Sequence, residues 1–471
     1  MQRSGFPWAS FLKKIAVIVV PVALQNLLTT TGSMIDTMMI ASLGTAEVGA
    51  VGLCAQFSSL LFAGFWGFVG GGMLFFAQYF GAKDDDGINR SYGLTLTCMM
   101  TVGLLFGLLA LCFPEAVMRM YTDKAHIRAI GVEYLHIVGF AYPLMVFSMA
   151  MAALLRCTGR VRIPLWGSVA GVLTNIFLNW VLIFGNLGAP KMGVRGAALA
   201  TVIAQAVSCL VVLIAACRSR HPYLLAVRRH FRWNRPFIRI YLKKCFPILC
   251  NEVLIGVGNM VINIVLGRQP EEAIAALAVF RTLEGLVIGF FAGFSNASSV
   301  LVGTEVGAGH LNRAFGRAWR LVWLCQGFIA LLGVALVALH TPILTVMGMR
   351  GESFRLAFGM MLIYLSFGII RMGNWTQNDT FRAAGDATTG TVMEIVFMYL
   401  MVLPCVCVSG LVLKWPTLAV FALCYADEPI RYVLMQIHLH KGKWIRPVTP
   451  EGVEAMRNWK PDHRLVDEAA D

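Results

Sequence analysis

Apolar runs of roughly 20 or more residues, the length a helix needs to cross the hydrocarbon core of a bilayer, recur along this chain between charged or Pro/Gly-containing breaks. They lie near 15–41, 49–80, 92–113, 129–154, 163–185, 194–217, 246–267, 273–304, 318–340, 356–381, 388–413 and 416–438. Twelve membrane-spanning helices are predicted. The first run follows Lys13 and Lys14 and continues past Met39. A signal peptide has an apolar core of only about 7–15 residues followed by a small-residue cleavage site, so this run is expected to stay as the first span.

The runs also repeat. One constant, gap-free offset lays Pro21 on Pro247, Gly32 on Gly258, Met34 on Met260, Phe65 on Phe291, Gly81 on Gly307, Arg156 on Arg382 and Gly159 on Gly385. Chance matches among apolar residues are common in membrane proteins, but shared Pro, Gly and Arg positions in a single register point to duplication. Six helices per unit is an even number, so both halves enter the membrane from the same side. The fold class expected is therefore an all-α polytopic membrane protein. Its twelve transmembrane helices form two six-helix lobes related by a pseudo-two-fold axis along the membrane normal, as in parallel-repeat secondary transporters. The corresponding segments are a cytoplasmic N-terminus (1–14), an N-lobe (15–217), a basic cytoplasmic linker (218–245), a C-lobe (246–440) and a cytoplasmic tail (441–471).

Composition agrees with this reading. Of 471 residues, 58% are hydrophobic and 14% charged, against about 25% charged in a soluble domain. The net charge of +14 raises the question of nucleic acid. The basic residues, however, concentrate in alternate connections, most densely in "RSRHPYLLAVRRHFRWNRPFIRIYLKK", which holds no Asp or Glu. Positive charge stays cytoplasmic, which places both termini inside and favours topology and anionic headgroups over a nucleic-acid partner. The 12 Cys lack the paired spacing of a zinc site and read as buried reduced thiols.

No phosphate loop, GxSxG elbow or HExxH is present. His126, His136 and His340 lie near span ends, and no catalytic residue and no cofactor is expected. Transport without an ATP-binding motif would run on an ion gradient. Charged groups inside spans are costly, and those retained usually face a cavity and carry function. In the first half the helix interiors are almost free of charge except for Asp36, in "TTTGSMIDTMMIASLG". Asn175 and Asn179, four apart in "LTNIFLNWVLIFG", share a helix face, and Thr201 adds a hydroxyl on the next helix. Asp36, Asn175, Asn179 and Thr201 together can hold a proton or, as oxygen ligands, Na+. The alternatives are that Asp36 sits near the outer interface and that the two amides join helices.

The second half carries Glu252, Arg281, Glu284, Arg371, Asp379, Glu394, Asp427, Glu428 and Arg431 within its spans. Arg281 with Glu284, and Glu428 with Arg431, are spaced to pair on one helix face. Glu252, Arg371 and Asp379 form a candidate substrate or C-lobe polar site. Two roles stay open for Glu252: binding a cationic substrate or proton, or meeting Arg371 across the bundle.

The spacing from Pro21 to "DT" at Asp36 and Thr37, with "LLRCTG", "FRAAGDAT" and "NIFLNWVLIFG", resembles the multidrug and toxic compound extrusion (MATE) transporters over about residues 12 to 440, in particular a bacterial branch. The resemblance implies an antiporter in which inward Na+ or H+ drives export of amphipathic, often cationic small molecules by alternating access of two lobes. It also implies that Asp36, Asn175, Asn179 and Thr201 match the N-lobe cation site, and that Pro21 is the proline at which the first helix bends. At the tenth helix Arg371 stands near where many sodium-coupled members have Asp. A monomer in a bacterial inner (cytoplasmic) membrane is expected, with a small-molecule substrate. A flippase for lipid-linked saccharide or lipid, built on the same two-lobed plan, is the alternative.

Overall fold

The computed structural model describes residues 7–461. Among them, ten helices are long and apolar enough to cross a membrane: Trp8–Ala41, Thr45–Gly81, Asp85–Cys112, Arg162–Phe184, Val194–Arg218, Arg235–Leu266, Glu271–Gly307, Leu311–Ala338, Gly351–Ala383 and Thr389–Val412. In chain order they are the first to third, fifth to eleventh spans. The fourth span is a bent pair, Ala125–Val138 and Ala141–Cys157, with 49° between its arms. The helices Thr417–Leu423 and Glu428–Lys441 stand in the sequence place of the twelfth. Leu108, Leu331 and Leu400 are among many large apolar side chains left exposed, as helices solvated by hydrocarbon require.

The repeat persists in the helix bounds. Thr45–Gly81 becomes Glu271–Gly307, and Asp85–Cys112 becomes Leu311–Ala338, at the offset that lays Pro21 on Pro247. The fourth and tenth spans differ in shape although their outer bounds correspond. Residues 129–154 read as one continuous run, but Pro143 has no N–H to offer the Gly139 carbonyl four residues earlier, and the helix bends there. Leu365 and Ile369 stand at the corresponding places in the second half, and Gly351–Ala383 is unbroken. In the eleventh span, Met398–Val402 and Val408–Val412 are wide π-helical turns flanking Leu403–Cys407. Pro404 removes a ladder bond there in the same way.

The chain forms two compact units. One consists of Leu24–Phe76 with Asp85–Cys245; the other consists of the described residues before Leu24, Ala77–Asp84, and those from Phe246 onward. The first helix continues through Pro21 and passes from one unit to the other just after it.

Within the second unit, the end of the second helix crosses the end of the eighth. A methyl group on Gly81 would lie 1.9 Å from the Thr304 carbonyl oxygen, and one on Gly307 would lie 1.9 Å from the Gln78 carbonyl oxygen. Gln78 and Thr304 are repeat equivalents, as are the two glycines, so the crossing is symmetric and admits no side chain on either. The segment after the twelfth span docks on the same unit. Trp444 is fully buried and stacks on Phe315, the Arg446 backbone N–H donates to the Ala384 carbonyl at 2.8 Å, and the Thr449 hydroxyl donates to the Gly307 carbonyl at 2.7 Å. Asp386 anchors this docking, receiving Thr389 Oγ1 at 2.7 Å, His438 Nε2 at 2.9 Å and Arg446 Nη1 at 3.1 Å. Burial alone would raise its carboxyl, but the hydrogen bonds from His438 and Thr389 and the Arg446 charge outweigh that and hold it below the ordinary value.

All twelve Cys are unpaired. The expectation that they are buried holds at Cys54, Cys157, Cys209, Cys245 and Cys325; Cys98, Cys250, Cys405, Cys407 and Cys424 are half-buried, and Cys112 and Cys217, at the ends of their helices, are exposed.

Candidate functional site

In the first unit, four helices bring their polar groups to one place. Asn179 Nδ2 donates to Asp36 Oδ1 at 2.6 Å and to Asn175 Oδ1 at 3.2 Å. Asn175 Nδ2 reaches Thr201 Oγ1 at 3.5 Å, and the Thr201 hydroxyl donates to the Ala197 carbonyl one turn earlier. All four residues singled out in the sequence therefore form one connected group. Asp36 is half-buried and turned toward the fifth helix rather than away from the protein.

The amide Oδ1 of Asn179 is buried and has no hydrogen-bond partner. A buried carbonyl oxygen left unsatisfied costs about 1–3 kcal/mol, and here it lies on a side chain that touches a carboxylate. An orphan oxygen, a carboxylate and neighbouring amide and hydroxyl oxygens make a donor set of hard ligands carrying one negative charge. That set suits Na+ or, at the carboxylate, a proton; among the described residues no group of three or more His, Cys, Asp or Glu is arranged to hold a metal ion.

Tyr134 was missed by sequence reasoning. It lies on the first arm of the bent fourth span, is buried, and its phenol neighbours Thr201 and Asp36. Only the bend reported above, in a segment that read as a plain apolar run, aims that arm at the other helices. A second set was also missed: Arg156 Nη2 donates to Gln25 Oε1 at 2.9 Å, and Gln25 Nε2 donates to Ser168 Oγ at 2.8 Å. The shared offset of Arg156 and Arg382 was its sequence signal.

In the second unit, the corresponding positions hold charge. Arg382 meets Glu252 at 3.4 Å and Asp379 at 3.7 Å, and Asp379 accepts from Ser295 at 2.5 Å. Asn251, the counterpart of Gln25, and Asn378 both donate to Glu394 Oε2 at 3.1 Å. Glu252 and Asp379 thus share one guanidinium, while Arg371 lies elsewhere. Of the two roles left open for Glu252, the pairing with Arg371 does not form, because the tenth helix presents Arg382, three turns farther on, to the seventh.

Arg371 instead belongs to an ionic chain. Arg281 pairs with Glu284 at 2.6 Å, Arg371 with Glu284 at 2.9 Å and with Glu428 at 3.8 Å, and Arg431 with Glu428 at 2.6 Å. The two pairs expected from their spacing are therefore present, joined by Arg371, whose guanidinium lies over the rings of Trp375 and Tyr425.

Comparisons with known proteins agree with this architecture. The sequence model of the MatE family matches residues 21–181 and again 247–407, two stretches separated by the repeat offset. The chain is similar to the probable multidrug resistance protein YoeA of Bacillus subtilis (strain 168), at 24% identity, covering 84% of this chain and 85% of that one. It is also similar to the probable multidrug resistance protein NorM of Agrobacterium fabrum, at 27% identity, covering 70% and 71%. Among solved structures, a MATE protein in complex with MaL6 superposes with TM-score 0.79 at 18% identity, covering 92% of this chain and 97% of that one. An outward-facing multidrug resistance MATE family transporter of the MOP superfamily gives TM-score 0.78 at 17% identity, covering 92% and 96%. A double match to one family model across most of a duplicated, multi-pass helical chain places it plainly: this protein belongs to the MatE family of multidrug and toxic compound extrusion transporters.

Proposed function

We propose that this protein is a secondary antiporter that exports amphipathic, cationic small molecules across the bacterial cytoplasmic membrane in exchange for inward Na+ or H+. The observation that carries this reading is the bond from Asn179 to Asp36, with the orphan Asn179 oxygen, Asn175, Thr201 and Tyr134 around it. In this reading the protein acts as a monomer with both termini cytoplasmic. Its N-lobe (15–217) and C-lobe (246–440), joined by the linker 218–245, alternate between outward and inward openings.

Binding of a cation or proton at Asp36 removes a buried negative charge. The first helix then loses its strongest reason to hold the fifth through Asn179, and Pro21, which interrupts the helical ladder, is the place where it would yield. An ion shifts the equilibrium between two states only by its difference in affinity for them; a carboxylate engaged by Asn179 in one state and open to the ion in the other supplies that difference. The charges around Arg382, with Glu252 and Asp379, form a second polar site for a cationic substrate or ion.

The experiment is reconstituted efflux under separately imposed Na+ and pH gradients. Asp36→Asn should abolish ion-driven efflux at normal expression, and retention of wild-type efflux would sink the proposal. A flippase for lipid-linked saccharide would need free cationic side chains for its pyrophosphate. Arg281, Arg371 and Arg431 are each held by carboxylates, which favours the antiporter.

A further inference from the structure

We propose that the segment joining the two repeats, residues 218–244, is a binding surface for the headgroups of anionic phospholipids. The segment is folded onto its own unit. His221 sits between Thr158 Oγ1 at 3.2 Å and the Leu224 backbone N–H at 3.4 Å. His230 bonds the Tyr223 carbonyl at 2.7 Å and packs edge-on against Tyr92. Trp233 Nε1 donates to the His230 carbonyl, and Tyr223 donates to Asp85 at 2.8 Å. A methyl group on Gly93 would strike the His230 carbonyl at 1.9 Å, so the third span has made room for this backbone.

What the folded segment turns outward is both basic and apolar. Arg228, Arg229 and Arg232 are exposed, and so are Leu225, Val227 and Phe231, the last at 59%. Arg239 and Lys243, one turn apart on the seventh helix, are exposed beside exposed Ile240. No Asp or Glu occurs between 218 and 244. Arg228, Arg232 and Arg239 have no carboxylate partner among the described residues, and Arg229 meets only Asp86, at 3.9 Å with both groups exposed.

The segment runs from the end of one span at Arg218 to the start of the next at Arg235, so it lies at the level of the headgroups. Guanidiniums there take phosphate oxygens while the interleaved Leu, Val and Phe enter the acyl boundary. The scaffold alone does not require the charge. At the repeat offset Trp233 lies on Trp459, and the segment before Trp459 also packs on its unit, yet it carries Glu451 and Glu454.

The test measures thermal unfolding of the purified protein in neutral detergent with added short-chain phosphatidylglycerol or phosphatidylcholine of equal chain length. Wild type should gain at least about 3 °C with phosphatidylglycerol and not with phosphatidylcholine, since a ligand of the folded state raises its midpoint. Arg228→Gln/Arg232→Gln/Arg239→Gln should lose the gain, and the triple Lys variant should keep it. Three results would overturn the proposal: an equal gain with both lipids or none with either, an undiminished gain in the Gln variant, or the same gain from glycerol 3-phosphate or a short RNA, which would assign the surface to a soluble phosphate or to nucleic acid.

Discussion

Asn179 and Asp36, on the fifth and first helices, are joined by a hydrogen bond of 2.6 Å while the carbonyl oxygen of the same Asn179 amide is buried without a partner. One side chain thus holds the carboxylate and keeps an acceptor in reserve. Asn251, Asn374 and Asn378 show the same half-used amide beside a carboxylate, so the proposed ion role of Asn179 rests on the neighbouring Asp36, Asn175 and Thr201 oxygens together with its free acceptor.

If so, Asn179→Leu, similar in bulk but without either polar atom, should raise the coupling-ion concentration for half-maximal efflux about 10-fold, equivalent to about 1.4 kcal/mol. Thr201→Val should have a smaller effect in the same direction. Efflux titrated against external Na+ and against pH measures both; an unchanged half-maximum in Asn179→Leu would remove Asn179 from the ion site.

Arg382 is the shared partner of Glu252 and Asp379. Arg382→Leu leaves two carboxylates without a counter-charge; these groups are half-buried, so the cost is below the about 3–5 kcal/mol of losing one partner of a fully buried ion pair. We predict a clear fall in the thermal unfolding midpoint, partly restored by Arg382→Lys. Arg371→Leu should also destabilise, through Glu284 and Glu428, and equal behaviour of Arg382→Leu and wild type would show that the pairing carries no stability.

Gly81→Ala and Gly307→Ala should each destabilise the crossing of the second and eighth helices, because the contact at 1.9 Å is with backbone, which cannot swing aside. Overpacking of this kind typically costs about 1–3 kcal/mol. The repeat symmetry predicts similar losses for the two variants, read as the fraction of protein eluting folded after a heat step.

The linker should loosen in acid. Burial, then the nearby Arg160 charge, lowers His221 from its ordinary 6.5 to about 4. Its Nδ1 accepts from the Leu224 N–H, so the neutral ring carries its proton on Nε2 and donates to Thr158, whose own hydroxyl proton goes to the Leu154 carbonyl. Protonating Nδ1 would set two donors against each other. Because the folded state disfavours the charged ring, its stabilising contribution is full above pH 6.5 and declines as pH falls from about 6.5 to about 4. Hydrogen-exchange protection factors in residues 221–233, taken against the intrinsic rate at each pH, should fall over that window in wild type and stay flat in His221→Gln.

How much of this was legible in the chain differs by element. The apolar runs showed the spans and the constant offset showed the duplication, since a bilayer imposes span length on sequence directly. The bend at Pro143 was written in Gly139 and Pro143 but hidden within an unbroken apolar run. Tyr134 gave no signal, because an aromatic residue near a span end has no fixed direction until the bend sets it.

By itself, the sequence determined that this is a duplicated, multi-pass helical protein whose first-half helix interiors are almost free of charge except for Asp36, because solvent and helix period act on residues one at a time. Which charges meet across helices was decided only by the tertiary structure, whereas the i,i+3 pairs Arg281–Glu284 and Glu428–Arg431 were legible from spacing. Glu252 is held by Arg382 and not Arg371, and Arg371 bridges two ion pairs on other helices. Partnership between helices depends on their rotation and depth, which are set by packing between segments distant in sequence and not by the spacing of residues along one helix.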